Sequence, residues 1–170
     1  MDKNFEFEIT GLGRNYAGYP GAFPTAVIKI INQTVYGRVL NLFSGVSYIG
    51  DVRVDLLRPE ATDNIDVFDF IKKDTRIWDF VILDPPYAIK SAPEKLKIYG
   101  SIKPFTGNKP YQHLMSDWLI KHAKNVLWLD RSAPLIPGFK RKKVWLLLPG
   151  GWATVVVLSY LSTMSTDLSP

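Results

Sequence analysis

The run Trp78-Asp79-Phe80-Val81-Ile82-Leu83 leads straight into Asp84-Pro85-Pro86. Aromatic and β-branched side chains of this kind fit a buried strand, and two successive prolines, which have no amide hydrogens, must end its ladder. The Asp84 carboxylate is thereby set at the carboxyl end of an interior strand. Five further strand-like runs accompany it: Arg38 to Phe43, ended by Ser44-Gly45, then Asp51 to Leu56, Asn125 to Asp130, Lys143 to Leu148 and Trp152 to Leu161. The last two are joined through Pro149-Gly150-Gly151, a hairpin signal.

Between these runs the apolar period changes to that of helices. Thr25 to about Gln33 repeats Ala26, Val27, Ile30 and Ile31. Tyr111 to Lys124 carries Leu114, Met115, Trp118, Leu119 and His122 on one side. Strands interleaved with helical segments predict an α/β domain with an open, mostly parallel sheet, and the terminal hairpin adds one antiparallel strand. Residues 1–19 read as an irregular lead-in and 162–170 as a frayed tail, within a single domain spanning 1–170. In such sheets ligands bind beyond the carboxyl ends of the strands, where Gly45, Asp55 and Asp84 all fall.

Composition excludes several chemistries. The chain has 170 residues and no cysteine, which removes disulfides, thiolate metal sites and cysteine nucleophiles together. A methyltransferase acting on a cytosine ring carbon, which needs such a nucleophile, is excluded. The two histidines, His113 and His122, have a spacing that fits no zinc motif, so no metal is expected. A formal charge of +5 and a pI near 9.3 favour a polyanionic partner. Met1 to Glu8 lacks the form of a secretory signal, and the apolar stretch from Val144 is broken by Pro149. A cytoplasmic protein without membrane association is the expectation.

Asp84-Pro85-Pro86-Tyr87, with the apolar strand before it, resembles the catalytic loop of the amino-methyltransferases that modify adenine at its exocyclic nitrogen. Upstream residues follow the same family order. Asn41-Leu42-Phe43-Ser44-Gly45 looks like the cofactor loop, Asp55 like the acid ending the second strand, and Asp66-Val67-Phe68-Asp69-Phe70-Ile71 like the third motif. Phe23-Pro24 looks like the segment that closes over the methionine end of the cofactor.

The similarity spans about residues 20 to 160. It implies a class I methyltransferase-like (Rossmann-like) fold with a terminal antiparallel strand and S-adenosylmethionine as cofactor. It further implies Asp84, Pro85, Pro86 and Tyr87 as catalytic residues, and Phe23, Pro24, Asn41, Phe43, Ser44, Gly45, Asp55 and Asp66 as cofactor contacts. The implied reaction is methylation of adenine N6 in DNA.

The residue types suit that chemistry. The lone pair of an aromatic amine is delocalised into the ring, and hydrogen bonds to the Asp84 carboxylate and the Pro85 carbonyl would localise it. Paired prolines stiffen the loop and leave carbonyls without local amide partners. Tyr87 offers a face for a base swung out of its stack. Asp55 and Asp66 also have an ordinary reading as turn or helix caps.

Two departures from the family pattern carry expectations of their own. Only ten positions separate Gly45 from Asp55, too few for a turn, a helix and a strand. The first crossover helix should therefore be lost or cut to one turn, and the strands it joins antiparallel or unusually connected. Backbone amides around Ser44 to Ser47 would then hold the cofactor carboxylate.

The target-recognition region is also short, residues 88–110. It holds Lys90, Lys95, Lys97, Lys103 and Lys109 interleaved with Tyr99 and Phe105, and a second basic cluster, Lys140-Arg141-Lys142-Lys143, follows Phe139. Both clusters suit phosphates and unstacked bases. So small a region points to a short target sequence, a homodimer, or a single-stranded or RNA substrate. The remaining alternatives are an RNA base amino-methyltransferase and a catalytically silent nucleic-acid-binding subunit.

Overall fold

A computed structural model describes residues 5–13, 22–86, 105, 108–149 and 155–164. In chain order the elements are β1 (Glu6–Gly11), α1 (Thr25–Thr34), β2 (Val39–Leu42), β3 (Val52–Val54), α2 (Val67–Lys73), β4 (Trp78–Leu83), α3 (Lys109–His122), β5 (Ala123–Asp130), β6 (Phe139–Leu148) and β7 (Val156–Thr163). The strands form one seven-stranded sheet in the order β1-β6-β7-β5-β4-β2-β3. Every neighbouring pair is parallel except the two that β7 makes, with β5 and with β6. This is the mixed, mostly parallel α/β sheet expected from the sequence.

Alternation along the strands divides the core between two faces. Val39, Phe80, Ile82, Leu127, Leu129, Trp145 and Leu147 pack with Phe23, Val27, Ile30 and Ile31 of the α1 side. Leu40, Leu42, Trp78, Val81, Leu83, Val126 and Trp128 pack with Phe68, Phe70 and Ile71 of α2 and Met115, Trp118 and Leu119 of α3. Both faces of β4 are buried, which is why its run is apolar almost throughout. Asp79, its one acid, is half-buried at the start of the strand. Its carboxylate accepts from the Arg38 amide at 2.8 Å and pairs with Lys124 at 3.1 Å. The Arg38 amide, and then Lys124, hold it below its ordinary pKa. Gly37, at φ 68°, permits this approach, since a Cβ there would lie 2.2 Å from Asp79 Oδ2.

Parts of the sheet differ from the sequence reading. Residues 6–11, expected to be irregular, form β1, an edge strand parallel to β6 in the register Glu6 with Lys143 through Gly11 with Leu148. Its alternating Glu and apolar residues are the pattern of a strand with one polar face. The third motif is a helix, α2, started by Asp66. Strand β7 continues past Ser162 to Thr163, and the Met164 amide bonds to the Gly138 carbonyl.

Two crossovers have no helix. Residues 43–51 join β2 to β3, which are parallel despite the short connection, so of the two expected outcomes the unusual connection is seen and the antiparallel pair is not. The connection stays short because it turns back at once. Asn41 Nδ2 donates to the Ile49 carbonyl, and the Asp51 amide donates to Val39. Residues 131–138 join β5 to β6 as an extended strap that buries Ile136 against the α3 side. The strap is tied down by Arg141 Nη2, which donates to the Ala133 carbonyl at 2.7 Å. No described helix is long and apolar enough to cross a membrane.

Candidate active site at the carboxyl ends of the strands

Three strands deliver the singled-out residues to one end of the sheet. Leu42 pairs with both Val54 of β3 and Leu83 of β4, so Phe43-Ser44-Gly45, Asp55 and Asp84-Pro85-Pro86 all emerge at the same level of adjacent strands. Helix α1 leads into β2 within four residues. Its far end, with Phe23-Pro24, therefore lies toward the carboxyl ends, about 15 Å along the helix. Asp84 and Pro86 are half-buried and Pro85 is buried. Tyr87, Lys90, Lys95, Lys97 and Lys103 lie outside the described residues.

The turn after β2 is strained. Phe43 has φ 60°, a left-handed conformation that costs a bulky residue of order 1–3 kcal/mol and persists only where surroundings enforce it. Here its ring is fixed edge-on to Phe68 and Phe105, while Phe68 stacks on Tyr111 with centroids 4.1 Å apart. Phe105 is 1% exposed in this cluster, and its amide donates to the Pro86 carbonyl at 3.1 Å. It braces the Pro-Pro loop from within the core, which corrects the reading of Phe105 as a platform for bases. The Pro86 carbonyl is likewise taken, so of the two proline acceptors only that of Pro85 stays with the catalytic reading.

Asp55 closes the loop. Its Oδ2 accepts from the Gly45 amide at 2.9 Å, and its Oδ1 from the amides of Leu57 and Arg58. A carboxylate has about four lone-pair sites, so three amides leave room for one further donor. The amides of Ser44, Gly45 and Ser47 donate to Val54, Asp55 and Ser44 respectively. The expectation that this stretch offers free amides to a cofactor carboxylate is therefore corrected for those three. Asp66 is the N-cap of α2 and accepts from Phe68 and Asp69, the ordinary role weighed for it above. Phe23 is buried among the α1-side core residues, and Pro24 stands at the α1 N-cap position.

What the loop does offer is buried oxygen. Asn41 is 0% exposed and Ser44 4%, yet Asn41 Oδ1 and Ser44 Oγ have no hydrogen-bond partner among the described residues. Burying such groups unpaired costs about 1–3 kcal/mol each, a penalty that a ligand with matching donors would relieve.

Asp130, which the sequence reading did not single out, is the last residue of β5, two residues past the pair Leu83 with Trp128, much as Asp84 directly follows β4. An acid closing an apolar strand was the available signal. It is 5% exposed, and its Oδ1 accepts from the amides of Arg131 and Ser132. Burial nevertheless raises its carboxyl above the ordinary value of 3.8. The native state then holds a proton that the unfolded chain has released, so stability falls as pH rises from 3.8 through the raised value. Asp130→Asn keeps the acceptor and cannot ionise. Its thermal midpoint should exceed that of the parent at about pH 8 and lose this advantage near about pH 4, as followed by circular dichroism.

Lys140, Arg141 and Lys142 are not brought to this end. Lys140 pairs with Ser162, which pairs with Asn125, which pairs with Phe80. This places Lys140 three strands across and four residues below Asp84, about 20 Å away. Arg141 is committed to the strap and lies over the Phe5 ring. Lys142 sits at a register shift in β6 and lines a groove with Glu6, Glu8, Lys143 and Trp145. The expectation that this cluster grips phosphates near Asp84 is corrected accordingly.

No family model matches the chain, and no curated protein does. Among solved structures, it is similar to a conserved hypothetical protein from Streptococcus pyogenes, with a TM-score of 0.50 and 18% identity over 81% of this chain and 93% of that one. At that identity the likeness speaks to the fold alone.

Proposed function

We propose that the chain is an S-adenosylmethionine-dependent methyltransferase acting on the exocyclic N6 amine of adenine in DNA. The observation that carries the reading is the meeting of Asp84-Pro85 with the strained Phe43-Ser44-Gly45 turn and Asp55 at one end of adjacent parallel strands. A single reversed strand, β7, in an otherwise parallel sheet supports the class I methyltransferase-like assignment. Asn41 Oδ1 and Ser44 Oγ, buried and without a partner among the described residues, fit a ligand rich in ammonium and hydroxyl donors, and Asp55 Oδ2 can take one ribose hydroxyl.

Bound S-adenosylmethionine would supply an electrophilic sulfonium methyl. The rest of the work falls to this chain. Asp84 and the Pro85 carbonyl accept the two amine hydrogens and draw the nitrogen lone pair out of the ring, and Asp84 then receives the proton that the methylated amine releases. Phe105, bonded to Pro86, keeps the loop from yielding.

The test is incubation with methyl-labelled S-adenosylmethionine and separate pools of duplex DNA, single-stranded DNA and RNA, followed by nucleoside analysis. Label is expected in N6-methyldeoxyadenosine. Label in methyladenosine would move the substrate to RNA, and no label in any pool would defeat the proposal.

A further inference from the structure

Asp130 stands beside the candidate site and has no part in the chemistry derived above. Leu83 of β4 pairs with Trp128 of β5. One residue further on is Asp84 and, on β5, two further on is Asp130, which sets their Cα atoms about 6 Å apart by strand spacing and rise. Side chains alternate along a strand, so Asp130 shares the α2 and α3 side with Trp128. The Pro-Pro loop leans to that side too, because the Phe105 amide holds the Pro86 carbonyl and the Phe105 ring lies 5.6 Å from that of Trp128. Trp128 Nε1 and Ser159 Oγ, from residues directly opposite each other on β5 and β7, are buried there with no partner among the described residues. This part of the face is polar and incompletely paired, as a surface that receives a hydrogen-bonding ligand is.

We infer that Asp130 is the specificity-determining residue that separates adenine from guanine, by donating a hydrogen bond from its carboxyl to the ring nitrogen beside the target amine. The inference rests on the methyltransferase reading and concerns the same site. An enzyme that swings a base out of its stack reads the Watson–Crick edge. There adenine sets its amine beside N1, a bare acceptor, whereas the N1 beside the amine of guanine carries a hydrogen. With the two amine hydrogens taken by Asp84 and the Pro85 carbonyl, N1 of adenine is the acceptor left to satisfy. A carboxyl one strand over serves it only when protonated.

The surroundings favour that form. Oδ1 of Asp130 accepts from the amides of Arg131 and Ser132, which leaves Oδ2 to carry the proton. Burial holds the carboxyl above 3.8 against the pull of those two amides and of the Arg131 charge. From β4 the Asp84 carboxylate opposes a second negative charge, and β7 sets the apolar Val157 opposite Asp130. In so dry a setting a donor left without its acceptor is costly, which is how a hydrogen-bonding site rejects the wrong base.

Synthetic DNA pools in which adenine carries C–H in place of N1, or in place of N7, test the contact without altering the chain. With methyl-labelled S-adenosylmethionine, loss of N1 should lower kcat/KM about 10- to 100-fold, and loss of N7 should not. Asp130→Leu should lower kcat/KM on ordinary DNA by a similar factor and be indifferent to the loss of N1. Asp130→Asn, which still offers an N–H, should recover part of that activity. It should also lack the alkaline limb of the parent, on which kcat/KM falls about tenfold per pH unit once Asp130 ionises. Calorimetric titration with S-adenosylmethionine at each pH, giving the parent affinity, separates these effects from unfolding. No label from the parent chain in any pool would sink the methyltransferase reading and this role together. Label in adenine at equal rates with and without N1, an unchanged alkaline limb in Asp130→Asn, or label in guanine would overturn the role of Asp130 and leave methyl transfer standing.

Discussion

Asp84→Ala should lower the rate of methyl transfer by at least about 10²- to 10³-fold while the thermal midpoint stays within a few degrees of the parent. The size follows from what is removed: an ionised acceptor that must be in place as the amine nitrogen gains positive character. Tolerance of the fold follows from location. Asp84 is half-buried, one residue past the end of β4, and belongs to neither core cluster. Calorimetric titration with S-adenosylmethionine should give nearly the parent affinity, because the oxygens assigned to the cofactor belong to Asn41, Ser44 and Asp55. Undiminished turnover in Asp84→Ala would remove the catalytic assignment. Lost cofactor affinity would instead relocate the role of Asp84 to binding.

The largest effect on stability is expected at Trp78. Its side chain is 0% exposed, its Nε1 donates to Asp74 Oδ2 at 2.9 Å, and the guanidiniums of Arg76 and Arg38 lie over its ring at 4.7 and 5.0 Å. Asp74 terminates α2, pairs with Arg76 through its other oxygen, and accepts from Trp118 Nε1 of α3 at its carbonyl. One indole thus ties the first residue of β4 to the end of one helix and, through Asp74, to the next. Trp78→Ala should cost about 3–5 kcal/mol, a fall of roughly 10–15 °C in thermal midpoint for a chain of this size. Trp78→Phe, which keeps a ring beneath the guanidiniums but leaves Asp74 Oδ2 without its donor, should cost about 1–3 kcal/mol. Urea unfolding would measure both, and a Trp78→Ala chain as stable as its parent would show that the hub carries no weight.

Strands that are apolar on both faces could be read from the sequence because burial leaves one composition to choose from. β4 was bounded correctly from its proline stop, and β2, β5 and β7 to within a few residues, as was α3 from its apolar stripe. β1 was missed because a solvent-facing edge strand needs little apolar residue: Glu6, Glu8 and Thr10 alternate with Phe7 and Ile9 over only six positions. The cost of a short interval between Gly45 and Asp55 was legible as a missing helix. Its outcome, two parallel strands, was not, because that depends on Asn41 and Asp51 bonding back across the loop. At the site, residue types identified the meeting of Asp84 with the β2 turn. They could not say that Phe105 points inward or that Gly45 is already bound, since those are facts of three-dimensional neighbourhood. Lys140 to Lys142 were misplaced for the same reason: a charge run shows no strand direction until β6 is aligned with β4.

The parallel pairing of β1 with β6 bears on the order of assembly. Among the described strands β1 comes first, and its neighbour there, β6, lies more than 130 residues further along the chain, so Glu6 must wait for Lys143. Closing so long a loop is slow, so the edge strand is expected to join after β4, β5 and the β6–β7 hairpin have condensed. Until then Phe7 and Ile9 travel on an unpaired segment, and the nascent chain is at its most vulnerable to misassociation in the interval before that final strand docks.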